Sequence, residues 1–380
     1  MTLNTALARP VVTSSRPSYL DILEAAWQAH LAPREPNAPT VISTFAGAGG
    51  SSLGYSMAGY REILAVEWDD NAVATFKLNF PDVPVYHGDI AKLSVEDVLS
   101  MTGLRPGELD VLDGSPPCQG FSTAGKRQLD DPRNQLFREY VRLLRGLQPR
   151  VFVMENVSGM VKGKMKLVFA EILRELKASG YKVSARLMNA MYFNVPQSRE
   201  RMIFIGVRED VGQEPSHPKA EAQPIPAGQV IAGCRGTRSQ RINPWIDALR
   251  PAATICKMDA GYEVLALSQA DLAEAEIKQS WQMHRVLSGL EAHKSEVLMR
   301  LKAGYPSPTI TKDAGNTTTG MVHPYEIRKL TIPEIKRLAS FPDDFEMTGG
   351  FKEKWARIGN SVPPLFMRSI AAHIRQHILT

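Results

Sequence analysis

Apolar runs of strand length alternate with helical patterns along the first two hundred residues of this chain. The runs, such as TVISTF and RVFVMENV, are short and rich in β-branched residues, which is typical of buried strands. Strands are predicted over 40–45, 61–67, 83–90, 109–115, 150–157, 181–190 and 199–208. Helices are predicted over 19–32, 70–78, 136–147 and 164–179. This alternation predicts an α/β fold with a doubly wound, parallel sheet.

The alternation stops after Arg208. Residues 211–260 contain many prolines and few apolar runs, and they precede a helical pattern over 267–301 and a polar loop over 306–320. Two more helices are predicted, over 333–340 and 364–379. The chain therefore divides into an extension (1–38), a main α/β domain (39–210), a smaller irregular domain (211–322) and a return to the main domain (323–380).

Composition and charge narrow the functional class. The chain has 380 residues and a net charge of +5, which permits a polyanionic partner without requiring one. Its three cysteines are too few and too scattered for a disulfide framework or a tetrahedral metal site, so no metal is expected. Neither an apolar membrane span nor a secretory signal is recognisable. A cytoplasmic protein without a membrane partner is expected.

A glycine-rich turn, FAGAGG (Phe45–Gly50), lies between the first strand and a helix. Glycines there permit positive φ angles and a close approach of a ligand to the backbone. Glu67 ends the next strand, where an acid can bind ribose hydroxyls, and Trp68 offers a flat face for adenine. Asp89 ends the third strand and could reach an adenine amino group or a cofactor ammonium. Together, the glycine-rich turn and these three side chains favour S-adenosylmethionine over NAD as the bound cofactor. A glycine-rich turn that binds no ligand is the alternative.

The segment GSPPCQGFS places Cys118 on a stiff turn after the fourth strand, and Glu155 ends the fifth. Ligands of doubly wound sheets bind at this carboxyl edge. A thiolate there can add to an electron-poor ring carbon while an acid supports the ring nitrogen that gains charge. For a pyrimidine, addition at carbon 6 makes carbon 5 nucleophilic. Taken singly, Cys118 is equally well interpreted as a partly buried free thiol, and Glu155 is better interpreted as a solvated acid at a strand end.

Six ordered segments give the chain a family resemblance. They are FAGAGG, DGSPPCQGFS with DPRNQLF, MENV, QSRERM, RKLTIPEIKRLASFP and GNSVPP. In this order they resemble the bacterial DNA (cytosine-5) methyltransferases. The resemblance covers most of 40–210 and 323–380, and it implies a Rossmann-like, S-adenosylmethionine-dependent methyltransferase domain. Residues 211–322 fall where the family has its variable target-recognition region.

The resemblance also implies roles for individual residues. Cys118 would be the nucleophile, Glu155 would contact the cytosine ring nitrogen and amino group, and Arg199 and Arg201 would orient the cytosine and the active-site loop. The implied cofactor contacts are Phe45, Gly47, Gly49, Glu67, Trp68, Asp89, Ile90, Pro117, Leu136, Asn360 and Ser361.

The resemblance implies a bacterial, nucleoid-associated enzyme that methylates carbon 5 of a flipped-out cytosine in a short sequence of duplex DNA. It would act as a monomer, either alone or beside a separate restriction endonuclease. One alternative is a tRNA cytosine-5 methyltransferase, although the Cys-Phe-Thr element of that branch is missing from the sequence. A non-catalytic DNA-binding relative and an NAD-dependent oxidoreductase are further alternatives.

Overall fold

The computed structural model describes residues 17–117, 135–161, 165–234, 254–257, 262–266, 298–312, 320–325 and 329–380. Seven strands form the main sheet: β1 (Thr40–Thr44), β2 (Arg61–Glu67), β3 (Val85–His87), β4 (Val111–Gly114), β5 (Val151–Val157), β6 (Tyr181–Asn189) and β7 (Glu200–Arg208). Their order across the sheet is β3-β2-β1-β4-β5-β7-β6. The α/β fold class predicted from the sequence is confirmed.

Ten α-helices accompany the strands in the described ranges. They are α1 (Tyr19–Leu31), α2 (Gly50–Met57), α3 (Asp70–Asn79), α4 (Val95–Thr102), α5 (Gln135–Leu147), α6 (Met165–Lys177), α7 (Ala227–Ile231), α8 (Ile332–Leu338), α9 (Phe351–Asn360) and α10 (Pro364–His377). Local sequence sets several of their starts, because Ser18 with Asp21, Ser94 with Asp97, and Thr331 with Glu334 form reciprocal capping boxes. No helix in these ranges is both long and apolar enough to cross a membrane.

The main sheet is mixed rather than wholly parallel. Strand β7 runs antiparallel to both β5 and β6, while β1, β2, β3, β4 and β5 pair in parallel. Only residues 190–199 join β6 to β7, and they contain a single short 3-10 turn, Ala190–Tyr192. A parallel neighbour needs a crossover of a dozen or more residues, so this short connection requires the antiparallel direction.

A second sheet contains four strands from the later part of the chain, in the order β11-β10-β9-β8. These strands are β8 (Thr254–Lys257), β9 (Tyr262–Ala266), β10 (Leu298–Leu301) and β11 (Gly320–Val322). The helix predicted over 267–301 is wrong at its end, because 298–301 pair with β9 and β11 as a strand. Residues 267–297 lie outside the described residues. Apolar spacing over so short a run does not distinguish a strand from a helix.

Both faces of the main sheet carry an apolar core, and the end of the chain completes one of them. Helices α1, α2, α8 and α10 contribute buried side chains to the core on one face, while α4, α5 and α6 contribute to the other. Helix α10 is fastened beside α2 by Tyr60 Oη, which donates to the Ala371 carbonyl at 3.0 Å, and by Arg375, which donates to the Ala58 carbonyl at 3.1 Å. Residues more than 300 positions apart therefore form one layer beside the glycine-rich turn.

Candidate active site

The glycine-rich turn after β1 has an unusual backbone. Phe45, Gly47 and Gly49 all adopt positive φ angles, of 56°, 57° and 91°. No atom of the described chain lies within 4 Å of the point where a Cβ on Gly47 would be, so the space over that residue is open. A turn of this kind exposes backbone N–H groups at the start of α2, where a ligand can approach closely.

Glu67 fixes this turn from the end of β2. Its carboxylate accepts hydrogen bonds from the backbone N–H groups of Gly47 at 2.7 Å and of Trp68 and Asp69 at 2.9 Å each. The side chain is buried. The acid predicted to bind ribose therefore lies against the turn, as the sequence spacing requires.

The other residues for which the resemblance implies cofactor contacts differ in exposure. Trp68 is 77% exposed, which is unusual for a tryptophan and leaves its face available for stacking. Asp89 is exposed and caps the 3-10 turn Ile90–Lys92 by accepting from the Ala91 N–H at 3.0 Å. Ile90 is buried, with Phe45 and Leu136 packed against the same apolar cluster. Pro117 is exposed at the end of the described segment that follows β4.

The GNSVPP segment lies directly beside the turn. A Cβ on Gly50 would be 2.5 Å from the Val362 carbonyl oxygen and 2.9 Å from the Ser361 Cβ, so only glycine permits this contact. Ser361 donates through Oγ to the Arg357 carbonyl at 2.7 Å, and its neighbour Asn360 is exposed. The GNSVPP segment near the end of the chain therefore packs against the start of α2.

A buried acid and an arginine form the second part of the site, at the ends of β5 and β7. Glu155 is buried, and its Oε1 lies 2.5 Å from Nε of Arg201. The antiparallel register places Arg201 opposite Val157, two residues beyond Glu155 on the same face. Because Arg201 also donates to the Glu200 carbonyl at 2.8 Å, its guanidinium is fixed beside the acid.

Asn156 connects the acid to the PPC turn. Its side-chain nitrogen donates to the Pro116 carbonyl at 3.0 Å, and its Oδ1 accepts from the Val157 N–H at 2.9 Å. Cys118 and the rest of 118–134 lie outside the described residues. The described part of the turn is therefore tied to the strand that carries Glu155.

Arg199, which the resemblance implies would orient the cytosine and the active-site loop, contacts the later part of the chain in this structure. Its guanidinium is buried and donates to the carbonyls of Ile310 and Gly359, each at 3.1 Å. Burial and the neighbouring charge of Arg201 lower the pKa of Arg199 to about 9, while Glu155 acts in the opposite direction. In this conformation Arg199 binds the later part of the chain to the sheet edge.

Two further acids contact α2, of which Asp113 is buried and Glu62 is half-buried with its Oε2 enclosed. Asp113 is the penultimate residue of β4, lies opposite Ser43, and accepts from the Tyr55 hydroxyl at 3.3 Å. Burial raises the pKa of Asp113 to about 7, and the nearby Glu155 adds to the shift. Burial raises the pKa of Glu62 to about 8, although its Oε1 accepts from Ser52 at 2.9 Å. Both carboxyls are held near their neutral form.

Three supporting residues were missed in the sequence. Arg357 forms an ion pair with Asp69 at 3.1 Å, which joins α9 to the connection between β2 and α3 that contains Trp68. Gln197 accepts at 3.2 Å from the Ile310 N–H, next to the Arg199 contact. Asn156 could have been found from its place beside Glu155, whereas the contacts of Gln197 and Arg357 depend on tertiary packing and have no local signal.

Comparison with known proteins agrees with this geometry. The family model described as C-5 cytosine-specific DNA methylase matches residues 39–376. The chain is 34% identical over 342 residues to the Type II methyltransferase M1.HphI of Haemophilus parahaemolyticus, covering 87% of this chain and 85% of that protein. It is 30% identical over 364 residues to the Type II methyltransferase M.XorII of Xanthomonas oryzae pv. oryzae, covering 88% and 84%.

Solved structures share the fold at lower identity. A DNA modification methyltransferase encoded within an E. coli prophage superposes with a TM-score of 0.64 at 23% identity, covering 90% of this chain and 100% of the other. DNMT2 of Spodoptera frugiperda superposes with a TM-score of 0.61 at 18% identity, with the same coverage. Since the family model matches residues 39–376 and a relative is 34% identical over 85% of its own length, this chain belongs to the C-5 cytosine-specific DNA methylase family.

Proposed function

We propose that this protein transfers a methyl group to carbon 5 of a cytosine within a short, specific sequence of duplex DNA. The observation that carries the proposal is the buried Glu155–Arg201 pair. Glu155 lies at the end of β5 beside Asn156, whose side chain donates a hydrogen bond to the PPC turn. The strands around it end beside the glycine-rich turn, where a methyl donor can be bound.

Cys118 is the proposed nucleophile. Its thiolate adds to carbon 6 of the cytosine, and Glu155 supports the proton that N3 gains, so that the electron pair moves to carbon 5. After methylation, a base removes the carbon 5 proton, and elimination of the cysteine restores the ring. A free thiol has a pKa of about 8.5, so addition at neutral pH depends on simultaneous support at N3.

Arg201 supports this step by its charge. It lies against Glu155 and keeps the carboxyl oriented at the strand end. For the neighbouring Arg199 we propose a different role from that of Arg201. The contacts of Arg199 with Ile310 and Gly359 suit a residue that positions the later part of the chain rather than the cytosine itself.

The proposed cofactor is S-adenosylmethionine, which supplies an activated methyl group on a sulfonium. The open space over Gly47 and the exposed face of Trp68 fit an adenosine group. Glu67 and Asp89 provide carboxylates for ribose hydroxyls and for an amino group, while Phe45, Ile90 and Leu136 provide apolar contacts. Pro117, Asn360, Ser361 and the backbone of Gly49 complete the proposed cavity wall.

The proposed substrate requires base flipping, since carbon 6 of a stacked cytosine is inaccessible. Unstacking costs on the order of a few kcal/mol, which phosphate contacts by a basic protein can offset. We assign 39–210 and 323–380 to catalysis and 211–322 to target recognition, and we expect a cytoplasmic monomer. The relatives named Type II methyltransferases suggest a restriction-modification setting, with a separate endonuclease.

Base-resolution methylation sequencing tests this proposal. The protein and its Cys118→Ala variant are expressed in a host without cytosine methylation, and both DNA and tRNA are sequenced. We expect 5-methylcytosine in one short DNA motif with the natural protein and none with the variant, although the variant still binds S-adenosylmethionine. Methylation retained in Cys118→Ala would exclude the nucleophile assignment, and signal confined to tRNA would move the substrate to RNA.

A further inference from the structure

A continuous run of aromatic rings leads from helix α1 to the glycine-rich turn. Trp27 stacks on His30 with ring centroids 4.8 Å apart, and His30 meets the edge of Phe80 at 5.3 Å. Phe80 in turn stacks on Phe76 at 4.6 Å. Such ring pairs stabilise their packing beyond simple burial. The rings therefore form one packed unit between α1 and the end of α3.

This ring unit contacts the glycine-rich turn directly. A Cβ on Gly49 would lie 2.6 Å from Cε2 of Phe80 and 3.2 Å from Cδ2 of Phe76, so the two rings are in contact with the glycine backbone. Gly49 has a φ of 91° and precedes the first turn of α2. The turn is therefore fixed on one side by the Glu67 carboxylate and on the other by Phe80 and Phe76.

Helix α1 is anchored at both ends, so the ring unit cannot move away independently. Near its start, the Tyr19 hydroxyl donates to the Arg337 carbonyl at 2.5 Å. Near its end, Nδ1 of His30 lies 2.6 Å from the Ser56 hydroxyl, and Arg34 donates to that same hydroxyl and to the His30 carbonyl. Burial lowers the pKa of His30 to about 4, so its ring is neutral at physiological pH.

Helix α1 lies before the residues that the family model matches. The family model begins at residue 39, whereas α1 covers Tyr19–Leu31. Through Phe80, the rings of α1 therefore reach the glycine-rich turn, where the cofactor is proposed to bind, from outside the matched residues. Surface helices that serve only to cover a core do not need to reach such a turn.

We propose that helix α1 positions the cofactor turn, with Trp27 and His30 keeping Phe80 against Gly49 and thereby setting the affinity for S-adenosylmethionine. The inference rests on the proposed cofactor. Trp27 and His30 are positioning residues, because they act through Phe80 and touch neither cofactor nor substrate. Loss of their packing allows Phe80 to withdraw, and the turn then samples conformations that cannot bind.

The test uses the full-length protein and three variants. Trp27→Ala removes the first ring, and Trp27→Phe keeps an aromatic ring in its place. Tyr19→Phe loses only the hydroxyl contact with Arg337 at the other end of the helix and serves as the matched control. Binding of S-adenosylmethionine is measured by titration calorimetry, and Tm and steady-state kinetics are measured on the same samples.

We expect Trp27→Ala to weaken cofactor binding about fivefold, within the range usual for mutations that couple indirectly to a site. Its KM for the cofactor rises by a similar factor, whereas kcat at saturating cofactor and KM for DNA stay unchanged. Trp27→Phe recovers most of the affinity. Tyr19→Phe lowers Tm without changing cofactor binding, which separates positioning from general stability.

Equal cofactor affinity in Trp27→Ala and the natural protein would overturn the inference, as would an equal loss in Tyr19→Phe. If Trp27→Ala does not fold, His30→Leu removes the next ring at similar volume and carries the same expectation. A natural protein that fails to bind S-adenosylmethionine at all would overturn the proposed cofactor, and the inference with it, which is distinguishable from an effect of the variants.

Discussion

At the scale of single residues, the candidate site contains carboxylic acids in surroundings where a charged carboxylate is energetically unfavourable. Glu62, Asp113 and Glu155 are acids on or under one face of the sheet, and only Glu155 has a guanidinium beside it among the described contacts. Burial of an ionised carboxylate without a partner is strongly unfavourable, so Glu62 and Asp113 favour the protonated form. Their protonation makes stability depend on pH.

Glu62→Gln is expected to make the free energy of unfolding less dependent on pH. A carboxyl whose folded pKa is about 8 binds its proton more tightly in the folded state, so it contributes stability at low pH that is lost as pH rises from about 4.5 through 8. The loss approaches about 1.4 kcal/mol per pH unit. Urea unfolding between pH 5 and 8.5 should show a smaller decline for Glu62→Gln than for the natural protein. The exposed Glu96→Gln variant is the charge control, and identical slopes in all three proteins would contradict the prediction.

Asn156→Asp tests the hydrogen bond between Asn156 and the Pro116 carbonyl in the PPC turn. A carboxylate keeps the shape of the side chain and can still accept from the Val157 N–H, but it cannot donate to the Pro116 carbonyl. Misplacement of a catalytic group by about 1 Å can cost on the order of a hundredfold in rate, and we expect a fall in kcat of that order. Cofactor affinity, measured by calorimetry, should stay within twofold. An unchanged kcat would show that the turn needs no such tie.

At the scale of elements, the turn between β1 and α2 combines backbone strain with close packing. Gly49→Ala forces a Cβ into a positive φ angle and places it 2.6 Å from Phe80. Gly103→Ala is the matched control, since Gly103 has a φ of 71° but no described atom within 4 Å of its Cβ position. Each should lose about 1 kcal/mol from the backbone alone. We expect Gly49→Ala to lose more in urea unfolding and to weaken cofactor binding at least tenfold, and equal losses would argue against the contact.

Arg199 joins the start of β7 to residue Ile310 and to helix α9, and its removal should weaken this connection. Arg199→Met leaves the buried carbonyls of Ile310 and Gly359 without their donor, which should cost about 2–4 kcal/mol in the free energy of unfolding. Arg105→Met removes an exposed arginine that pairs with Glu108 and should leave the free energy of unfolding nearly unchanged. Chemical denaturation of both variants checks this, and similar losses would show that the buried contacts add nothing.

The elements differ in how far they could be predicted. Strands β1, β2 and β5 are buried apolar runs, and the helices from α1 to α3 have capping residues or clear periodicity, so local sequence was sufficient. Helix α9 was missed because FKEKWARIGN shows a charged sequence with few apolar positions, and only its packing places Trp355 in the core. Strand β10 was read as a helix because its partners are distant in sequence.

Only part of the candidate site could be predicted from the sequence. Glu67, Trp68 and Glu155 follow strands of one sheet, so their common edge could be derived from the chain order. The ring contact on Gly49 and the Arg199 contacts with Ile310 and Gly359 join residues that are 27 to 160 positions apart. No local pattern encodes such pairs, since they depend on how the layers pack.

At the scale of the whole molecule, the proposed cofactor cavity is closed by both ends of the chain. A ligand that binds only the folded protein stabilises it by about 2.7 kcal/mol at a hundred times its Kd. We therefore expect S-adenosylmethionine to raise Tm by several degrees, and to protect both the region before residue 117 and the region after residue 329 from hydrogen exchange. Protection confined to the first region would contradict the role given to Asn360 and Ser361.

The contact between Gly50 and Val362 also has a consequence for synthesis. The turn is translated more than 300 residues before the segment that packs on it. At about 5–20 residues per second, a nascent chain carries an uncovered α2 for at least about fifteen seconds. During that interval, the apolar face that later meets α10 is available to chaperones. If the proposed cofactor site needs Asn360 and Ser361, we expect binding only after the GNSVPP segment has left the ribosome.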